Sequence, residues 1–341
     1  MGDVFLNVTD LTTTQRSIEM IKRSLIMLIS LVWSFNAYGE CLKKGCHKTI
    51  DALKALHTPL KEGSCEDCHT KADKHKFPVN VRGRKLCLGC HENPIKTGEF
   101  PHSAVSDGEC TDCHNPHGSV SKKWKNLKRK FPELCYECHG KFDGDFLHSP
   151  VITGDCVRCH KPHSSSNRKL LVKEGKELCF ICHYDDLSDR AHIHPAIEEG
   201  CIFCHLPHSA NFSKLLSDSE KEICYKCHES KEGEKVIHLI LKKKGCSPCH
   251  NPHGSDYHRL LPSFINDLCS KCHKNQSDGA HIFPGIKRLH PVMGVRDPST
   301  QKALTCVSCH NPHSSPNPNL FYEGESKLDM CKKCHKKSYL R

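Results

Sequence analysis

Cysteine follows a fixed five-residue frame along most of this 341-residue chain. Twelve times the order is Cys, two residues, Cys, His, as CEDCH, CLGCH, CTDCH, CYECH, CVRCH, CFICH, CIFCH, CYKCH, CSPCH, CSKCH, CVSCH and CKKCH, and these use 24 of the 26 cysteines. The frames alternate. First frames hold Cys65, Cys68 and His69; Cys110, Cys113 and His114; Cys156, Cys159 and His160; Cys201, Cys204 and His205; Cys246, Cys249 and His250; and Cys306, Cys309 and His310. Second frames hold Cys87, Cys90 and His91; Cys135, Cys138 and His139; Cys179, Cys182 and His183; Cys224, Cys227 and His228; Cys269, Cys272 and His273; and Cys331, Cys334 and His335. First frames start 45, 46, 45, 45 and 60 residues apart, second frames 48, 44, 45, 45 and 62 apart. Six copies of one unit predict a quasi-one-dimensional array rather than a globule, with an insertion at about residues 274–305 where the last step lengthens.

Such a frame is what covalent haem attachment requires: two thiols at the reach of the two vinyl groups, and a histidine that falls beneath the iron as proximal ligand. Paired Cys-x-x-Cys also occurs in zinc ribbons, but zinc does not need a histidine after every second cysteine. With histidine at about 8% of residues, twelve such histidines by chance is on the order of one in ten to the thirteenth. Composition agrees. Hydrophobic residues are 37%, a class that includes all 26 cysteines, and aromatics are 6%. So thin an apolar supply cannot build an interior alone.

The remaining histidines keep the same register. One leads the first frame by eight residues at His57, His102, His148 and His238, and by seven at His194; the insertion displaces His290. Five repeats continue from the first frame as His-x-Pro-His, giving the trailing histidines His117, His163, His208, His253 and His313. The first repeat reads CHTKADKH, so His75 stands in that place less regularly. These twelve are the candidate distal ligands, with His192, His258 and His281 outside the register. A trailing histidine three places beyond a proximal one cannot reach around its own porphyrin, so it caps an adjacent haem. Which neighbour it caps is open. Met293 and Met330 are too few to serve, which predicts bis-histidine, low-potential, low-spin haems.

Cys41, Cys46 and His47 form CLKKGCH, similar to the four-residue spacer at some haems of the tetrahaem cytochromes c3. They are expected to hold a thirteenth haem; a disulfide or two thiols is the alternative. Residues 1–39 read as a secretory signal with an upstream extension. Lys22 and Arg23 precede an apolar run over residues 25–33, and Ala37-Tyr38-Gly39 suits cleavage, with translation starting at Met20 and the mature chain at Glu40. The run is short of the about 20 residues a membrane span needs, though an uncleaved anchor is the alternative. Residues 40–64 then form a single-haem segment and residues 65–335 the six two-haem repeats.

The formal net charge is +11, which ordinarily suggests an anionic partner. Each ferric haem brings about one net negative charge, so thirteen would nearly cancel it. Nucleic acid is not expected as a partner, because aromatics are not interleaved with the basic runs. The run KKWKNLKRK at residues 122–130 is either a solvated face offsetting propionates or a docking patch. Leucine or another apolar residue recurs seven apart between frames, as Leu171 with Leu178, Leu216 with Ile223, and Leu261 with Leu268. That interval predicts a short helix with one apolar stripe. The expected fold is mostly irregular coil with short α-helices wrapped around an extended stack of covalent haems, with little or no β-sheet.

On these frames and the His-x-Pro-His continuation, the chain resembles the multihaem c-type cytochromes with doubled CXXCH motifs, over about residues 41–335. The resemblance implies an electron conductor of about 13 haem c groups outside the cytoplasmic membrane, in the periplasm, outer membrane or at the cell surface. It implies redox partners such as other cytochromes or a membrane quinol oxidoreductase, and an outer-membrane porin or self-assembly into a filament for some relatives. In a filament, a spare histidine such as His281 would cap a haem of the next protomer. Multihaem nitrite or hydroxylamine oxidoreductases need an open distal position, often marked by a proximal lysine. Every proximal position here is histidine, so an electron carrier rather than an enzyme is expected.

Overall fold

The computed structural model describes residues 48–63, 65–71, 77–123, 125–183, 189–276, 280–281, 290–298, 300–322 and 327–335. The expected signal segment, the Cys41, Cys46 and His47 site, and His75 lie outside them. The chain forms two units, Met1–Lys141 with Thr153–Val172, and Phe142–Ile152 with Lys173–Arg341. Each consists mostly of coil, with short helices and two-residue strand pairs. The longest described helix, Lys327–Cys334, has eight residues.

The frames themselves are the most regular local structure. In all twelve, the histidine N–H donates to the carbonyl of the first cysteine at 2.8–3.1 Å. This i to i+4 bond winds each frame into one helical turn, which sets the two cysteines on one face with the histidine beside them.

The apolar interval of seven does not lie on one helix. Leu171 is extended (φ −70°, ψ 145°) behind the 3-10 turn Arg168–Leu170, and the helix starts only at Gly175–Cys179. Leu216 and Leu261 likewise precede the helices Glu220–Tyr225 and Ile265–Ser270. The physical reason is a pair of left-handed residues that reverses the chain: Lys169 and Leu170, Lys214 and Leu215, Arg259 and Leu260, Asn319 and Leu320, all at φ 56–59°. Each such L-residue costs about 1–2 kcal/mol, and backbone bonds offset it. Lys161 N–H donates to Leu170 O at 2.7 Å and Val172 N–H to Cys159 O at 2.9 Å, and Leu206 with Leu215 and Ser217 with Cys204 repeat this at 2.7 and 2.9 Å.

Strand pairs join each repeat to the next. Ala55–Leu56 pairs with Gly118–Ser119, Phe100–Pro101 with Ser164–Ser165, Phe146–Leu147 with Ser209–Ala210, His192–Ile193 with Gly254–Ser255, and Val236–Ile237 with Ser314–Ser315, all antiparallel. A sixth pair, Ala280–His281 with His290–Pro291, lies inside the insertion. At Gly118 a Cβ would sit 2.1 Å from the Ala55 carbonyl, so that crossing admits only glycine.

What is buried is small. Among the described residues the buried apolar side chains are Ala210, Leu241, Leu304 and Met330. Ser119, Ser165 and Ser315 are the largest side chains under 2% exposed. Ser165 Oγ donates to Leu171 O at 2.6 Å, and Ser255 and Ser315 bind Leu261 O and Phe321 O in the same way, so these serines pin the strand to the left-handed turn. Ile152, Ile202 and Phe264 meanwhile stand 65, 66 and 68% exposed. Polypeptide alone leaves large apolar surface uncovered, which fits a chain whose interior is completed by another group.

Helix ends also clamp neighbouring repeats. The Glu220 carboxylate, at the start of Glu220–Tyr225, accepts from Cys246 N–H, Ser247 N–H and Ser247 Oγ–H at 2.7, 2.6 and 2.7 Å. Partial burial works against the charge, but these hydrogen bonds hold its carboxyl below the usual carboxylate range. Glu220→Ala removes a charge-assisted clamp worth about 1.5–3 kcal/mol. Hydrogen exchange at the Cys246 and Ser247 amides should accelerate by roughly tenfold or more, with amides of the first repeat unchanged.

Candidate haem-binding sites

Histidines that are far apart in sequence stand in opposed pairs. In the first unit His57 faces His91 with ring centroids 5.8 Å apart, His69 faces His117 at 6.1 Å, His102 faces His139 at 6.0 Å, and His114 faces His163 at 6.0 Å. In the second unit His148 faces His183 at 6.0 Å, His194 faces His228 at 6.1 Å, and His205 faces His253 at 6.0 Å. There too His238 faces His273 at 6.2 Å, His250 faces His313 at 6.1 Å, and His290 faces His335 at 6.2 Å. Ten pairs fall within 0.4 Å of one another. A metal–imidazole bond is about 2.0 Å and the ring centre lies about 1.1 Å behind the bonded nitrogen, so one iron between two imidazoles sets the centroids about 6.2 Å apart. The residues present therefore fit a six-coordinate haem.

The pairs obey one rule. A leading histidine meets the second-frame histidine of its own repeat, as His57 meets His91. A trailing histidine meets the first-frame histidine of the repeat before, as His117 meets His69. The neighbour that the sequence leaves open is the preceding repeat.

Backbone acceptors orient the rings. Nδ1–H of His69 donates to Phe77 O at 2.8 Å, His160 to Lys169 O at 2.9 Å, His205 to Lys214 O at 2.9 Å, His250 to Arg259 O at 2.8 Å, and His310 to Asn319 O at 2.7 Å. From the third repeat onward, each acceptor is the first left-handed residue of the turn, which explains why the chain sustains that conformation. Leading rings use the proline before the trailing histidine: His102 donates to Pro162 O at 3.0 Å and His148 to Pro207 O at 2.9 Å. A donated Nδ1–H leaves the Nε2 lone pair available to a metal and would raise its basicity as a ligand. Burial lowers the pKa of His114, His163, His238 and His313, which favours the neutral, ligating form. Sequence reading missed these carbonyls. The only available signal was a Lys-Leu, Arg-Leu or Asn-Leu step recurring nine residues after the proximal histidine.

The cysteines connect successive sites. Cys87 contacts Cys110 and Cys135 contacts Cys156 in the first unit, and Cys224 contacts Cys246 and Cys269 contacts Cys306 in the second. Each contact joins a second frame to the first frame of the next repeat. Burial, helped by Cys156, pushes the Cys135 thiol up to about 11. The 24 described cysteines stand outside any disulfide. Of the histidines outside the register, His192 and His258 lie tilted against each other with ring centroids 4.4 Å apart, too close to share an iron. In the basic run, Arg129 pairs with Glu137 and Lys130 with Glu133, and Lys125 turns its carbonyl to His114.

The left-handed acceptor can be tested at Lys214 (φ 59°). Proline cannot adopt this angle, whereas glycine can. Lys214→Pro should raise the midpoint potential of one haem, by about 60 mV for each tenfold loss of ferric preference. Lys214→Gly should leave it unchanged in a spectroelectrochemical titration.

Comparison with known proteins agrees with this arrangement. The profile of the doubled CXXCH motif family matches residues 57–96, 102–144, 148–187, 194–233, 238–278 and 297–339. Together these cover more than half of the chain, and five of the six begin on a leading histidine. The multiheme cytochrome MtrA of Shewanella baltica is 31% identical over 98 residues, which is 29% of this chain and 23% of that protein. The high-molecular-weight cytochrome c of Nitratidesulfovibrio vulgaris is 32% identical over 82 residues, 24% of this chain and 13% of that protein. This chain thus belongs to the family built on the doubled CXXCH motif and is a multihaem c-type cytochrome with about 12 paired-motif sites for covalent haem c.

Proposed function

We propose that the protein is an exported electron conductor carrying thirteen bis-histidine haems, one on each of the twelve frames and one on Cys41, Cys46 and His47. The observation that carries this reading is the set of ten histidine pairs at 5.8–6.2 Å, which assigns every described leading histidine a second-frame partner. Bound haem supplies an iron that cycles between ferric and ferrous states. The chain's own part is to hold that iron the same way in both states: two neutral imidazoles on the axis, rings oriented by backbone carbonyls, thioethers from paired cysteines. Such rigid ligation suits electron passage and disfavours substrate binding, because no axial position opens.

Repeat register extends the assignment. His160 falls in the first unit and His208 in the second, so that pair rests on register alone. His75 takes the trailing place of the first repeat, which directs it toward the site before it, at His47. The six repeats and the single-haem segment are then the domains of the protein. Its partners are redox proteins, among which cytochromes, a membrane quinol oxidoreductase, an outer-membrane porin or further copies in a filament fit such a conductor. The signal reading of residues 1–39 supports a place outside the cytoplasmic membrane.

Two measurements test this. A pyridine haemochrome count should give 13 haems per chain, falling to 12 in the Cys41→Ala, Cys46→Ala double variant; a count of 12 in the parent removes the thirteenth site. The reduced protein should bind neither carbon monoxide nor nitrite on mixing. Rapid binding at a five-coordinate haem would favour a reductase instead.

A further inference from the structure

The insertion of the sixth repeat carries a histidine in a position that the repeat rule already defines. In each of the five strand pairs between repeats, the strand ends just before a leading histidine and its partner begins just after the trailing histidine of the next repeat. Continuing the register of Leu56 opposite Gly118 sets His57 opposite His117, and their backbones are joined, His57 N–H to His117 O, at 3.0 Å. The same holds for His102 with His163 (2.8 Å), His148 with His208 (2.9 Å), His194 with His253 (3.2 Å) and His238 with His313 (2.9 Å). A trailing histidine is therefore the cross-strand partner of a leading one.

The sixth leading histidine is His290, which faces His335 as the rule requires. Its cross-strand partner does not come from a further repeat. Strand Ala280–His281 pairs with His290–Pro291 instead, and His281 stands opposite His290. The ladder runs to the C-terminal side of His290, to Pro291, rather than to its N-terminal side, but the histidine-to-histidine opposition is the same. In the other repeats, the residue in this position meets the first-frame histidine of the leading histidine's own repeat: His117, opposite His57, meets His69.

We propose that His281 is the distal ligand of the haem attached at Cys306, Cys309 and His310, so that the insertion supplies in cis what a following repeat supplies elsewhere. This rests on the bis-histidine reading above. It also closes the accounting. Six leading histidines, five trailing histidines and His281 serve the twelve frames, His75 is left for His47, and the remaining two, His192 and His258, lie tilted against each other.

The test uses purified holoprotein with its full haem complement, examined by electron paramagnetic resonance when oxidised and by carbon monoxide binding when reduced. His281→Ala should convert one haem per chain from low-spin to high-spin and let one carbon monoxide bind, with added imidazole restoring the low-spin state. His117→Ala, which empties the described pair with His69, should do the same, and His258→Ala should do neither. His281→Met should instead produce one methionine-to-iron charge-transfer band, which serves where the alanine variant assembles poorly. If His281→Ala and His281→Met both leave the spectra unchanged while His117→Ala converts one haem, the assignment of His281 is overturned and the bis-histidine reading stands. If His117→Ala also changes nothing, the bis-histidine reading itself fails.

Discussion

The opposition of paired imidazoles, ten pairs at 5.8–6.2 Å, is the constraint on which this structure depends. The chain buries four apolar side chains among its described residues and otherwise pins itself with serines, so little of its order comes from side-chain packing. Burial of two leucines, a methionine and an alanine recovers about 5–10 kcal/mol, against backbone ordering at about 1–2 kcal/mol per residue over the whole chain. On the bis-histidine reading, a covalently held haem would cross-link distant parts of the chain, and exposed apolar residues such as Ile202 and Phe264 are available to cover it. One iron held between each pair would account for their uniform spacing, since two bond lengths and two ring radii leave little latitude.

Two kinds of junction alternate along each unit. The histidines that face the two frames of one repeat are cross-strand neighbours, as His57 and His117 of the following repeat are, joined by one backbone hydrogen bond. They face His91 and His69, so the two frames of one repeat are tied through the histidines opposite them. Between repeats the tie is at the attachment side, where Cys87 meets Cys110 and Cys224 meets Cys246. Each frame is thus linked to one neighbour through the histidine that faces it and to the other through its cysteine. That arrangement forces adjacency in sequence order, which a one-dimensional array for electron passage requires.

Local strain is spent where it orients a ligand. Lys169, Lys214, Arg259 and Asn319 are left-handed without being glycine, and each presents its carbonyl to a proximal Nδ1. The recurrence of one costly conformation at one place in successive repeats is best explained by that hydrogen bond, which sets tautomer and ring plane together.

Cysteine and histidine spacing by itself determined the cofactor class, the paired frames, the repeat and the mostly irregular fold, because covalent attachment is local chemistry: the two thiols and the following histidine of a frame lie within five residues. It also marked the leading and trailing histidines as ligands in waiting. Their partners were decided only by tertiary structure: His57 meets His91 within its own repeat, and strand pairing across repeats brings His117 beside His57 and opposite His69. The apolar interval at Leu171 and Leu178 misled for a related reason: periodicity reports spacing, and it cannot show that Lys169 and Leu170 turn left-handed between one element and the next. Likewise His281 looked like a surplus histidine in an insertion, and only its place opposite His290 gave it the register of a ligand.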